Sequence, residues 1–96
     1  MSSRTPRECV ALAVDASADQ DDRADAIHDL KMANECDELA ELASRDELDD
    51  ELRQQALRSL GTPQCDSMLR RLVENDSLDR SLQREAENLL GEMEDA

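Results

Sequence analysis

Apolar residues recur along this chain at steps of three and four. Leu39, Leu42 and Ala43 form one such set, and Leu48, Leu52, Ala56 and Leu60 form a second. Both recur further on, as Leu69, Leu72, Val73 and as Leu78, Leu82, Ala86, Leu90. This spacing places each set on one face of a helix. Strict alternation is absent, β-branched residues are scarce, and Ala, Leu, Glu and Arg dominate, so the pattern favours helix over strand.

The recurrence has a fixed period. Displacing the sequence by thirty residues lays Arg23, Ala26 and Leu30 on Arg53, Ala56 and Leu60, and these on Gln83, Ala86 and Leu90. Leu12 and Ala13 fall on Leu42 and Ala43, then on Leu72 and Val73. Leu39 meets Leu69, Asp46 meets Asp76, Asp49 meets Asp79 and Gly61 meets Gly91, all without a gap. A hairpin of two short helices cannot bury its apolar faces alone, whereas several stacked hairpins share one continuous core. The expectation is an all-α fold of about six short antiparallel helices, at about 6–16, 18–32, 35–45, 48–60, 63–74 and 78–92. They form one domain over 1–96, in three two-helix units at about 6–32, 35–60 and 63–92. The shared seam is Leu30, Leu42, Leu60, Leu72 and Leu90, with Ala26, Ala43, Ala56 and Ala86 allowing close approach.

Polar residues punctuate this pattern. Thr5-Pro6-Arg7-Glu8 reads as a capping box with proline at the first helical position, and Ser17-Ala18-Asp19-Gln20 as a second box. Asn34, Thr62 and Ser77 are further N-cap candidates. Gly61 and Gly91 follow Leu60 and Leu90, where a helix favours a left-handed residue.

Charge changes the picture next. The 96 residues hold 25 acids against 11 bases, a net charge of −14, with no Phe, Tyr or Trp. Such a surface repels nucleic-acid phosphate, so no nucleic-acid partner is expected. No stretch approaches the ~18 apolar residues of a membrane span, and the N-terminus lacks a secretory signal. High charge can also mean disorder, but here the acids alternate with Leu and Ala at helical spacing. The bases are all arginine except Lys31. Scarce lysine, abundant acids and a core without aromatics resemble the proteins of salt-loving archaea. That resemblance implies a cytoplasmic protein whose self-repulsion is cancelled by molar salt, which screens charges to within ~3 Å.

Residues 42–61 read L-A-x-x-D-x-x-x-x-x-L-R-x-x-A-x-x-x-L-G, carried by Leu42, Ala43, Asp46, Leu52, Arg53, Ala56, Leu60 and Gly61. This resembles the HEAT repeat, in the short form found in phycobilisome lyases. Residues 72–91 fit with Gln83 in place of the arginine, and residues 12–30 with Asp22 in place of the apolar residue. The resemblance implies an α-α superhelix in which Asp46 or Asp49 pairs with Arg53 or a neighbour, in a ladder linking adjacent repeats.

Candidate chemistry is sparse. His28, the single histidine, sits at the phase of Arg58 and Asn88 and reads as a surface residue. Some HEAT-like hydroxylases carry several His-Glu pairs that hold two irons; one histidine cannot supply that cage. Cys9, Cys36 and Cys65 contain no C-x-x-C. Cys36 and Cys65 lie near the starts of equivalent helices and become neighbours on stacking. A zinc site joining them to His28 is one reading; the favoured one is three reduced, buried thiols in a reducing cytosol. Carboxylates at Asp21-Asp22, Asp49-Asp50-Glu51 and Glu92-Met93-Glu94-Asp95 lack calcium-loop spacing. No cofactor is expected.

Two patches bear on partners. Arg53, Gln54, Gln55 and Arg58 lie on the second helix of the middle unit, with Arg80 and Arg84 on the next. In HEAT-like arrays this row lines the concave side, a groove less acidic than its surroundings that would receive an acidic segment. Cys9-Val10-Ala11-Leu12-Ala13-Val14 is more apolar than its counterparts, and either closes the N-terminal end or docks a second chain. The expected function is a non-enzymatic scaffold or adaptor binding a protein partner, as a monomer or weak homodimer. The alternatives are a HEAT-like lyase or hydroxylase relative, or an accessory subunit of one, and a plain acidic bundle whose register is fortuitous.

Overall fold

Thr5 begins the first helix as the sequence predicts. Its hydroxyl accepts the Glu8 amide at 3.2 Å, and the Glu8 carboxylate accepts the Thr5 amide at 2.7 Å. In the computed structural model, which describes residues 4–76 and 78–94, this box opens α1 (Pro6–Val14). Five more helices follow: α2 (Gln20–Met32), α3 (Cys36–Ala43), α4 (Asp50–Ser59), α5 (Asp66–Glu74) and α6 (Arg80–Glu94). No strand occurs among the described residues.

Contacts between helices follow a regular order. Each odd-numbered helix packs on the even-numbered one that follows it. The odd helices touch in sequence, α1 on α3 and α3 on α5, and the even ones likewise, α2 on α4 and α4 on α6. The particle measures 39 × 26 × 19 Å.

The core is aliphatic. Ile27, Leu30, Leu39, Leu42, Leu52, Leu57, Leu60 and Leu69 are essentially inaccessible, and Ala13, Ala26, Ala43, Ala56 and Ala86 are fully buried among them. Leu72 is 7% exposed, but Leu90, expected in the same seam, is only half-buried: among the described residues no helix packs on the far side of α6. Leu48 and Leu78 lie in the turns before α4 and α6, outside any helix, yet both are buried. Cys9, Val10 and Ala13 of the apolar N-terminal stripe are buried where α1 packs on α2 and α3, Leu12 and Val14 are half-buried, and Ala11 is exposed.

A polar bond repeats with the sequence period. Arg23 Nε donates to the Ala13 carbonyl at 2.9 Å, Arg53 Nε to the Ala43 carbonyl at 3.4 Å, and Gln83 Nε2 to the Val73 carbonyl at 3.1 Å. Each satisfies a carbonyl at the C-terminal end of an odd helix, where no intrahelical donor remains.

Several terminal assignments are corrected. Neither glycine has positive φ; that conformation belongs to Asn34 (φ 57°) and Asp76 (φ 55°). Asn34, expected to start a helix, instead ends α2. The Glu35 amide donates to the Leu30 carbonyl at 3.0 Å and the Asn34 amide to the Lys31 carbonyl at 3.1 Å, the paired bonds of a Schellman motif. Gly91 lies inside α6 rather than after it. Ser17 makes no helix cap; its hydroxyl donates to Asp15, and Asp19 stands at the α2 N-cap without a side-chain bond. Thr62 starts no helix either. Residues 62–65 form a turn, Cys65 is the N-cap of α5, and the Thr62 hydroxyl has no partner. The Ser77 assignment lies outside the described residues.

Candidate functional site

The even-numbered helices share a face with three hollows along it. The first, about 250 Å³, lies between α2 and α4 and is lined by His28, Lys31, Glu51, Gln54, Gln55 and Arg58 among others. The second, about 180 Å³, lies between α4 and α6, and its acids are Asp50, Glu51, Asp79 and Glu85. The third, about 420 Å³, is bounded by Arg58, Arg84, Glu85, Asn88 and Glu92.

The residues expected to form the groove divide into three groups. Arg53 lies behind the face: it is 5% exposed, holds the Ala43 carbonyl, and reaches Asp79 at 3.3 Å and Asp50 at 3.8 Å. Its ionic partner therefore comes from the start of α6, not from Asp46 or from Asp49. Asp49 accepts from Gln20 at 2.8 Å instead. Asp49 and Asp79 occupy the same phase of the period, and each ties the start of one even helix to the even helix before it.

Gln54, Gln55 and Arg58 lie on the face and also link its helices. Gln55 Nε2 donates to the Ala24 carbonyl of α2 at 3.0 Å. Gln54 Nε2 donates to Glu85 Oε1 at 2.7 Å, and Arg58 Nε to the other oxygen of the same carboxylate. Burial pushes the Glu85 carboxyl up, but the bonds from Gln54 and Arg58 together outweigh it and hold the group below the ordinary carboxylate range. The Asp79 carboxyl is held down first by the Leu82 amide it accepts, with Ser81 and Arg53 adding to the effect against partial desolvation.

Arg80 and Arg84 are exposed near the start of α6, where they flank Ser81 at the rim of a further hollow. Among the described residues neither enters an ion pair, nor do Lys31 of α2 or Arg71 of α5, while Arg4, Arg7, Arg45, Arg53, Arg58 and Arg70 all do. Three of the four bases without an acidic or carbonyl partner, Lys31, Arg80 and Arg84, thus stand on α2 and α6. His28 is exposed and lines the first hollow beside Lys31.

Sequence reasoning placed the row but missed Glu85, His28 and Lys31 as its neighbours. The thirty-residue register contains the signal for two of them: Glu85 is the image of Gln55, and His28 that of Arg58.

The cysteines differ from expectation. Cys36 and Cys65 are joined by a disulfide, with Cα atoms 5.4 Å apart, and only Cys9 is a free thiol. Their proximity was legible in the repeat; the covalent bond was not, because spacing carries no oxidation state. Burial pushes the Cys9 thiol up. No group of three or more His, Cys, Asp or Glu side chains is gathered for a metal among the described residues, and no helix there is long and apolar enough to cross a membrane.

Comparison with known proteins gives no matching family, no matching curated protein and no matching solved structure. The functional reading therefore rests on the face itself.

Proposed function

We propose that this chain is a small HEAT-like repeat module of a halophile's cytoplasm, a non-enzymatic adaptor that binds an acidic segment of a protein partner on the α2–α4–α6 face. The observation that carries the reading is where the unengaged bases stand. In a chain of net charge −14, Lys31, Arg80 and Arg84 have no acidic partner among the described residues and flank Arg58, whose Nε is fixed by Glu85 while its side chain is 63% exposed. Arginine ends held in this way suit carboxylates, since a fixed guanidinium loses little freedom on pairing. The order of helix contacts and the carbonyl bond repeated at Arg23, Arg53 and Gln83 support the repeat reading. All three hollows on the row carry acids as well, which favours a short segment laid along the bases over a broad acidic surface.

A titration of isotope-labelled protein with a Glu- and Asp-rich peptide tests this, at a salt concentration where circular dichroism shows native helix. Saturable shifts confined to α2, α4 and α6 are expected. Reversing Arg58 and Arg84 to Glu should weaken binding by about fivefold or more, each exposed pair contributing up to ~1 kcal/mol. Reversal of Arg71 on α5 should change little. Equal binding of a Gln- and Asn-substituted peptide, or shifts centred on the odd helices, would overturn the assignment.

A further inference from the structure

Away from the α2–α4–α6 face, the Cys36–Cys65 bond is a chemical group with no part in that reading. It joins the first residue of α3 to the N-cap of α5 and closes a loop with a sequence separation of 29. Its two residues differ in exposure, for Cys36 is half-buried and Cys65 is 2% exposed. Both stand at helix N-termini, where unpaired amides and the helix dipole stabilise a thiolate, and a stabilised thiolate is a better leaving group. The helices it joins also meet through apolar side chains: Leu39 and Leu42 of α3 and Leu69 and Leu72 of α5 are buried in the common aliphatic core.

We propose that Cys36–Cys65 is a redox-reversible cross-link, a modification site opened by a dithiol reductant and closed by a disulfide oxidant, with the chain folded in both states. A reductant thiolate attacks Sγ of Cys36, the more exposed of the two residues. The protein S–S bond breaks, and Cys65 leaves as a thiolate that takes up a proton. The reductant's second thiolate then attacks its own sulfur in the mixed disulfide and expels Cys36 as thiolate. One protein disulfide and one dithiol thus become one protein dithiol and one reductant disulfide, and the reverse sequence restores the bond. Reduction frees the 61–65 turn between α4 and α5 and leaves the leucine contacts to hold the two helices.

The test treats purified, folded protein with dithiothreitol, then alkylates with iodoacetamide and locates the label by mass spectrometry. Label at Cys36 and Cys65, none at buried Cys9, retained helical dichroism and a melting temperature lower by roughly 10 °C are expected, the last from the loss of a loop-closing cross-link. A brief pulse of a monothiol should trap the mixed disulfide on Cys36, and oxidised dithiothreitol should restore the original mass and melting point. The double variant Cys36→Ser/Cys65→Ser should fold and melt as the reduced protein does. The proposal is overturned if reduction requires denaturant, if helix is lost on reduction, if the trapped adduct sits on Cys65, or if the thiols cannot be reoxidised in the folded chain.

Discussion

Gln83 donates to the Val73 carbonyl at 3.1 Å, the bond that Arg53 makes to Ala43 at 3.4 Å. A shorter, uncharged side chain thus does at the last of three equivalent places what arginine does at the first two. The shared function is to bond a carbonyl at the end of an odd helix, which at Val73 also accepts the Asp76 amide at 3.3 Å. What arginine adds at position 53 is the ion pair to Asp79, at 3.3 Å.

This comparison separates the two contributions. Arg53→Gln should keep the carbonyl bond and lose the pairs to half-exposed Asp79 and exposed Asp50, costing about 1 kcal/mol or less. Arg53→Met should leave the Ala43 carbonyl and the inner oxygen of Asp79 without donors and cost about 1–3 kcal/mol. Urea unfolding followed by circular dichroism checks the order; equal losses would mean the carbonyl bond contributes little.

Glu41 governs part of the acid limb of stability. It accepts from Arg7 of α1 at 2.9 Å and from Arg45 at 2.9 Å, joining α1 to the end of α3. The bonds from Arg7 and then Arg45 hold its carboxyl below the ordinary glutamate range, against partial desolvation. The native carboxylate therefore binds its proton less readily than the unfolded one. Its stabilisation is present above about 4.5 and is lost as the pH falls through the lowered native value. Glu41→Gln should cost about 0.5–1 kcal/mol at neutral pH, since both pairs are partly solvated, and flatten the loss of stability below pH ~4. Thermal melts from pH 7 to 3 at fixed salt measure both effects.

Six helices and most of the buried leucines were legible in the sequence because burial repeats every three or four residues and the whole pattern repeats after thirty. The helix ends were less so. Asn34 is as good an N-cap as it is a left-handed terminator, and only the Glu35-to-Leu30 bond decides between them. Gly91 looked like a terminator, but its φ is not positive and α6 continues through it to Glu94. Within the candidate site, the row carrying Gln54, Gln55, Arg58, Arg80 and Arg84 was visible. The burial of Arg53 was not, because one arginine pattern serves equally for an exposed base and for one that reaches back to a carbonyl.

Salt should stabilise the fold. The acids outnumber the bases by 14, and the ion pairs present, such as Arg4–Asp29 and Arg70–Glu94, are exposed and individually weak. Raising ionic strength from 0.1 M to 1 M shortens the screening length from ~10 Å to ~3 Å, which removes long-range repulsion while sparing contacts at hydrogen-bond distance. The melting temperature and helical dichroism should both rise over that range, the former by several degrees. A flat or falling response would count against the halophilic reading and would make the weak surface pairs more important than the net charge.

The two glycines give opposite expectations from one substitution. Gly91 sits within α6 with ordinary negative φ, and a Cβ there would meet nothing within 4 Å. Gly91→Ala should therefore stabilise by about 0.5–1 kcal/mol, by reducing the freedom of the unfolded chain and raising helix propensity. Gly61 also lacks positive φ, so backbone strain does not require glycine there. Its Cβ would lie 3.2 Å from the Arg58 carbonyl oxygen and 3.5 Å from Leu89 Cδ2. The carbonyl is backbone and cannot rotate away, so the last turn of α4 must give by a few tenths of an ångström, while Leu89 of α6 is met only at ordinary van der Waals distance. Gly61→Ala should thus be neutral or destabilising, and since the shift reaches Arg58, it should also disturb the hydrogen bond to Glu85. Melting curves of the two variants separate the cases: equal stabilisation would show that the last turn of α4 yields freely, while a loss confined to Gly61→Ala would locate the close approach to the Arg58 carbonyl as the reason glycine occurs at that position.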